Sequence, residues 1–460
     1  MIMPFTRFPK AIAPLLVVLC AALGPGDGSR PLQEKRVGRT AVRPIRHFRA
    51  ERPRSARRMA RYASDRVLVR FRPSISEAYA EGLLRSYGFP AVRRIPGIGA
   101  YSVKTAAGVS VVETLAMLRR NGDIELARPD FRTRLADIPN DEFFQSYQYN
   151  LRNRGMVLNI SPDFQPQTTA GADIKATAAW DVAKGDAGTV IAIVDTGVDT
   201  THPDLAGKIV SQGRDFVNED DDATDDHWHG THVAGIAGAD TDNSVGIAGV
   251  SWNCRILPVK VMDANGEGFY SWMIDGIIWA ADQGADVINL SLGGDADDPF
   301  LEDACRYAHD KGAVVVSAAG NDGIATVLYP AAYDAYALAV AASDYNDEIA
   351  EFSNFGPEVD VAAPGVLILG PIPQWFAESE FGADALPYLF ASGTSMATPH
   401  VAGMAALIKS AKPAMSVDDI MKIIRYTADD VNSTAYPGAD DHAGYGRVNM
   451  ERALVPYIIR

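Results

Sequence analysis

Cysteine is scarce in this 460-residue chain, with three in all. Cys20 lies in an N-terminal apolar run, so the folded body holds only Cys254 and Cys305. That excludes a small scaffold held by several cross-links. The pair reads as one bridge or two buried thiols, and two thiols are the expectation because free Cys is commonly core. Long hydrophobic runs are as rare. The run Ala11 to Gly24 follows Arg7 and Lys10, and it suits the apolar region of a secretory signal better than a span of roughly 20 residues. A lipid anchor at Cys20 fits less well, since Val17-Val18-Leu19 lacks the small residue such signals prefer. Residues 1–28 are therefore expected to be a signal peptide, and the protein secreted or held at the cell envelope, without stable membrane insertion.

Positive charge is also scarce, once past residue 136. Residues 1–136 carry 26 Lys/Arg against 10 Asp/Glu, and the rest carries 17 against 48, for a net charge of −15. Such a split marks a separate module with its own partner. The obvious partner for the basic part is the acidic part of the same chain. A nucleic-acid or membrane-surface tail is the rival for the basic stretch, and no nucleic-acid partner is expected.

What is present is an ordinary globular composition, 47% apolar and 22% charged, in a chain long enough for two or three domains. Residues 29–65 are Arg-rich, with Pro31, Pro44 and Pro53, and read as a flexible linker. Residues 66–136 alternate between strand and helix patterns. Strands are expected at Val67–Phe71, Ala100–Lys104 and Ile124–Arg128, and helices at Ser76–Tyr87 and Val109–Asn121, the latter capped by Ser110. This is a small α+β unit of ferredoxin-like type. From 137 to 460, short branched runs at Thr189–Val194, Arg255–Val261, Asp286–Leu290 and Ala313–Ser317 alternate with helical stretches at Tyr270–Gln283 and Phe300–Lys311. The expected fold is α/β, a doubly wound, mostly parallel sheet with its site beyond the carboxyl ends of the strands.

Three segments stand out at such places. Ile193-Val-Asp195-Thr-Gly197 puts a carboxylate at a strand end. His227-Trp-His229-Gly-Thr-His232 gathers histidines before an apolar helix, and Ser392-Gly-Thr-Ser395-Met-Ala-Thr-Pro-His400 opens another. Singly, each has a dull use: a turn Asp, a metal-binding histidine cluster, an N-cap serine. Together they suggest nucleophilic catalysis. A serine needs a neutral imidazole to take its proton, and the imidazole needs a carboxylate to hold its tautomer.

The stretches VDTGVDTTHPDL, HGTHVAGIAG and SGTSMATPHVAG resemble the three signature motifs of the subtilisin-like serine proteases, the subtilase family, and in detail its thermitase branch. The likeness runs from about Pro139 to Ala453. It implies that Asp195 orients the imidazole, His229 is general base and then acid, and Ser395 is the nucleophile of an acyl-enzyme mechanism. Asn321, in Ser317-Ala-Ala-Gly-Asn321-Asp-Gly, would complete the oxyanion hole, and His232 would be structural. By the same resemblance Gly266, Gly268 and Tyr270 form one edge of a peptide-binding cleft, and Ser291, Leu292 and Gly293 the other. Broad specificity with a lean to large apolar residues before the cut is implied. Activity should rise through roughly pH 6–8 as His229 loses its proton.

The resemblance also implies structural calcium. Asp141, Asp204, Asp240, Asn243, Val245 and Ile247 match one site, the last two and Asp240 through main-chain carbonyls. Asp215, Asp220 and Asp222 match a second, with Asn218 and Asp222 altered from its usual ligands, and a solvated acidic loop is the alternative there. Residues 66–136 resemble a propeptide that templates folding and plugs the cleft, removed by self-cleavage between about Arg132 and Asp141. Protein substrates and the protein's own propeptide are thus the implied partners, and the enzyme is expected to be a monomer. The segment between Pro364 and Ser392 departs from the family in being longer, so it could narrow the cleft or be a plain surface insertion. A peptide-binding pseudoprotease and a serine esterase remain the alternatives; Ser395 lacks the G-x-S-x-G elbow that the esterase reading wants.

Overall fold

The computed structural model describes residues 62–131 and 138–454, with the backbone of a short strand β1 (Leu16–Leu19). The rest of the expected signal peptide, most of the linker and residues 132–137 of the expected cleavage region lie outside the described residues. The chain divides into two compact units. One spans Pro44–Leu135, and the other combines Met1–Arg43 with Ala136–Arg460.

The smaller unit runs β2 (Tyr62–Phe71), α1 (Glu77–Ser86), β3 (Ala91–Ile95), β4 (Ala100–Lys104), α2 (Val111–Leu118), β5 (Ile124–Phe131). Its antiparallel sheet has the order β3-β4-β2-β5, which is the ferredoxin-like arrangement. α2 starts at a capping box: Ser110 Oγ accepts from the Glu113 amide at 3.2 Å, and Glu113 Oε2 accepts from the Ser110 amide at 2.9 Å. Two expectations are corrected here. Strand β3 was not anticipated, because it is an edge strand with no buried residue, and Arg93-Arg94 break its alternation. The first strand begins at Tyr62, inside the stretch assigned to the linker. Tyr62 pairs with Phe131 beyond a register shift, and the two rings meet edge-on at 6.3 Å.

The larger unit contains α3 (Phe144–Tyr147), α4 (Ala176–Trp180), β6 (Val190–Asp195), β7 (Arg214–Asp215), α5 (His229–Gly238), β8 (Arg255–Lys260), α6 (Tyr270–Asp282), β9 (Val287–Leu290), α7 (Pro299–Asp310) and β10 (Val314–Ala318). It continues with β11 (Ala337–Ser343), β12 (Val361–Pro364), β13 (Ile368–Pro371), α8 (Gln374–Phe381), β14 (Tyr388–Ser392), α9 (Thr394–Ala411), α10 (Val417–Tyr426) and α11 (Met450–Leu454). Seven parallel strands take the order β12-β11-β10-β9-β6-β8-β7. β14 pairs antiparallel with β13 and parallel with β1 in a separate small sheet.

Successive residues of β6 explain the layering. Ile191 and Ile193 face one core with α5 and α9, while Ala192 and Val194 face the other with α6 and α7. Covered on both faces, such strands must be apolar throughout. Cys254 belongs to the first core and Cys305 to the second, so the sheet separates them. Both are free, buried thiols, and burial pushes them up to about 11 and about 12. Among the described residues no helix is long and apolar enough to cross a membrane.

Candidate active site

Parallel strands all end on one side of the sheet, so loops leaving them converge there. Asp195 is the last residue of β6, and the segments after β8, β9 and β10 carry Gly266–Tyr270, Ser291–Gly293 and Asn321. His229 opens α5 and Ser395 is the second residue of α9. Gly230 permits this approach: a Cβ there would lie 2.1 Å from the Gly197 carbonyl and 3.1 Å from Asp195 Cβ.

Asp195 is 1% exposed. His229 Nδ1 donates to its Oδ1 at 2.7 Å, and the Thr196 amide donates to the same oxygen at 2.8 Å. Burial alone would lower the His229 pKa, but the Asp195 charge and hydrogen bond, helped by Asp225, outweigh it and leave it above the ordinary 6.5. The neighbouring rings behave oppositely. Burial pushes His227 down to about 4 and His232 down to about 3, and both lie close enough for the His229 charge to add to it. His232 Nε2 donates to the Leu389 carbonyl at 3.0 Å, so that ring ties α5 to β14. Among the described residues no three or more His, Cys, Asp or Glu side chains cluster so as to hold a metal.

Ser395 Oγ donates to the Ser291 carbonyl at 3.0 Å, while Ser291 Oγ donates to the Ser395 carbonyl at 2.8 Å. The nucleophile candidate thus faces one of the two expected cleft edges; hydrogen bonds to a base are often loose before substrate arrives. Asn321 is oriented by its oxygen. Oδ1 accepts from the Thr394 amide at 2.8 Å and from Thr394 Oγ1 at 3.0 Å, which leaves Nδ2 as the outward donor beside the start of α9. Leu292 and Gly293 carry no main-chain hydrogen bond among the described residues, whereas Gly294 pairs both ways with Tyr329. Tyr270 OH donates to the Ala296 carbonyl at 2.9 Å and so links the two edges.

Two anchors escaped the sequence reading. Asp225 accepts from Thr196 Oγ1, the His227 amide, and the amide and hydroxyl of Thr231 at 2.5 to 3.0 Å. Lys260, 1% exposed, donates to the Thr196 and Met262 carbonyls and to Asp226 Oδ1 at 2.5 to 2.8 Å. Together they tie the His229 loop to the end of β6. The only signal was the acidic pair just before the histidines, and a lysine in an apolar run.

The residues expected to bind calcium fall into two kinds. Asp141 and Asp204 are buried, and no lysine or arginine pairs with either among the described residues. Asp204 Oδ2 accepts from the Ile247 amide and Tyr388 OH, both at 2.9 Å, and Asn243 Nδ2 is 3.2 Å from Oδ1. Asp141 accepts from the Asp242 amide at 2.9 Å. The carbonyls of Asp240, Val245 and Ile247 accept no hydrogen bond among the described residues. Buried carboxylates need a counter-charge, and this donor set fits a hard cation. In the other group Asp215 and Asp220 pair through their main chains, and the carboxylates accept from amides close by in sequence. Asp215 accepts from the Val217 and Asn218 amides, Asp220 from the Asp222 amide, and Asp222 from Thr224. Each carboxylate there serves its own turn.

A hydrogen-bonded Asp–His pair, a serine at a helix start and an amide donor beside that start are the parts a serine hydrolase needs. The chain belongs to the subtilase family: residues 186–446 match the family model Peptidase S8. Residues 50–130 match the fervidolysin N-terminal prodomain. The thermophilic serine proteinase of Bacillus sp. (strain AK1) is 41% identical over 85% of this chain and 88% of its own. Thermitase of Thermoactinomyces vulgaris is 45% identical over 69% of this chain and 99% of its own. A solved protease from Pseudoalteromonas arctica PAMC 21717 superposes with a TM-score of 0.58 at 32% identity, covering 69% of this chain and 99% of that one. This protein is a subtilisin-type serine endopeptidase made with a prodomain.

Proposed function

We propose that Asp195, His229 and Ser395 act as the catalytic triad of a secreted, self-processing endopeptidase. Ser395 attacks the peptide carbonyl, His229 takes its proton and returns it to the leaving amine, and Asp195 holds the imidazole. Asn321 Nδ2 and the Ser395 amide at the start of α9 stabilise the oxyanion. The observation that carries this reading is the buried Asp195 Oδ1 contact to His229 Nδ1 at 2.7 Å, which alone among the three neighbouring histidines is matched by a raised pKa. The segments 266–270 and 291–293 receive the substrate as an added strand, with a preference for large apolar residues before the cut. Residues 1–28 are read as an export signal, and the catalytic part as starting near residue 137. The test is labelling with a fluorophosphonate, followed by comparison of peptide and ester hydrolysis. The adduct is expected on Ser395, with casein digested; an unlabelled, folded protein would favour the binding-only alternative, and ester cleavage without peptide cleavage the esterase.

Removing Asn321 tests the oxyanion role. Asn321→Ala is expected to lower kcat by roughly 10²–10³ with little change in KM, the magnitude known for subtilisin itself. A change within threefold in kcat would contradict it.

Calcium is proposed at Asp141, Asp204 and Asn243 with the carbonyls of Asp240, Val245 and Ile247, as a structural ion joining the chain start of this unit to the loop after α5. Asp215, Asp220 and Asp222 are left out of that assignment. An ion at about 100 times its dissociation constant adds about 2.7 kcal/mol, so chelation should lower the Tm of a unit this size by about 4 °C. Thermal unfolding with and without a chelator measures this, and Asp204→Asn should abolish the difference. An unchanged Tm would remove the site.

A further inference from the structure

The hairpin of β13 and β14 carries α8 at its tip, and α8 stands beside His229. Phe376 lies 6.1 Å from the Trp228 ring, and Trp228 lies 5.6 Å from His229. Phe381 packs behind Phe376 at 6.3 Å. These contacts account for α8 as a cover over Trp228. They do not account for Trp375. Its ring stays 49% exposed, edge-on to Phe376 at 5.7 Å, and its Nε1 donates to the Asp225 carbonyl at 3.4 Å. Asp225 is the anchor of the His229 loop, so the indole is fixed to the element that carries the base.

We propose that Trp375 is a specificity-determining residue that receives a large apolar side chain from the leaving-group half of the substrate, directly after the cleaved bond. The inference rests on the peptide-cleaving reading above and adds to it the side of the cleft where selection occurs. The layering of the fold supports it. Tyr270 and Leu292, in the two cleft edges, pack against the core of α6 and α7. The β13–β14 hairpin, through Ile368, Leu369, Leu389 and Phe390, belongs to the core of α5 and α9. His229 is bound to Asp195 at the end of β6, the strand whose two faces serve these two cores. Edges that hold the acyl half leave the opposite flank of His229, which α8 occupies, to the half that departs with the proton. An indole pinned at its nitrogen offers a rigid apolar face at low entropic cost.

Partition of the acyl-enzyme isolates this contact. A peptide methyl ester forms the acyl-enzyme, and phenylalaninamide or glycinamide competes with water to accept it; chromatography gives the ratio of new peptide to acid. The matured wild type is expected to favour phenylalaninamide over glycinamide by about tenfold or more, a usual range for one apolar pocket. Trp375→Ala should bring that preference to within about threefold, and Trp375→Phe should retain most of it. A wild type without the preference, or a Trp375→Ala variant that keeps it, overturns the inference while leaving proteolysis intact. A wild type that forms no acyl-enzyme overturns the peptide-cleaving reading and this inference with it.

Discussion

Ser395→Ala, released from its prodomain in trans by wild-type enzyme, is expected to hydrolyse peptide anilides about 10⁶-fold more slowly, with KM nearly unchanged. The magnitude is that known for subtilisin, a member of the same family. The physical reason is the loss of the proposed nucleophile: Ser395 Oγ lies at the start of α9, facing Ser291. Its hydroxyl bond to Ser291 is 3.0 Å and near the surface of the cleft, so removing it should not cost the fold more than about 1 kcal/mol. Binding should survive because Ser291 keeps its own hydroxyl bond to the Ser395 carbonyl at 2.8 Å. The rate is measured on anilides at saturating and limiting substrate, with circular dichroism to confirm folding. A loss below a hundredfold would show that another group carries the attack.

Asp195→Asn is expected to lower kcat by about 10⁴ at neutral pH. With a carboxylate at 195, His229 Nδ1 must donate, so Nε2 is free to take the serine proton. An asparagine can donate in its turn, and a ring that accepts at Nδ1 carries its proton on Nε2, where it cannot act as base. The pH profile supplies a second, independent readout. Activity needs neutral His229, whose pKa stands above 6.5 because Asp195 outweighs burial. In the wild type, kcat/KM should therefore rise with pH through a midpoint above 6.5. Without the carboxylate, burial is opposed by the weaker pull of Asp225, and the midpoint of the residual activity should move down. A profile unchanged by Asp195→Asn would mean that the carboxylate does not govern the base.

Much of the candidate site could be read from sequence because each part is local and tied to a strand end. Asp195 closes a five-residue apolar run, Val190–Val194, and a run buried on both faces can end only where the sheet does. Asn321 and Ser291, known from the family resemblance, stand after β10 and β9 in the same way. Ser395 needed no more than a helix start. What could not be read is the long-range wiring. Lys260 looks like an intruder in an apolar strand until the fold brings Thr196, Met262 and Asp226 around it. Asp225 is one acidic residue among many until its four donors assemble.

Elsewhere the same limit applies. Strand-like apolar patterns located β2, β4 and β5, which all bury residues, but not β3, which has none buried. The acidic residues at 215–222 could be ligands or turn formers on composition alone. In the fold Asp215, Asp220 and Asp222 accept from amides of residues two or three positions further on. In contrast, Asp141 and Asp204, 63 positions apart in sequence order and unremarkable alone, are brought into one buried cluster by the loop after α5. The segment before Ser392 gave two readings, surface insertion or cleft wall, and only the packing of Phe376 on Trp228 brings it next to His229.

Self-processing tests the central claim most directly. Residues 29–460 and the Ser395→Ala variant are expressed side by side with calcium, and intact mass and casein hydrolysis are followed in time. The wild type should shorten, at a rate independent of its concentration, to a product beginning between about residue 132 and residue 141, and should then digest casein, while the variant stays full length and inert. A wild type that stays full length and inert although folded, or a variant that shortens equally, would contradict the account.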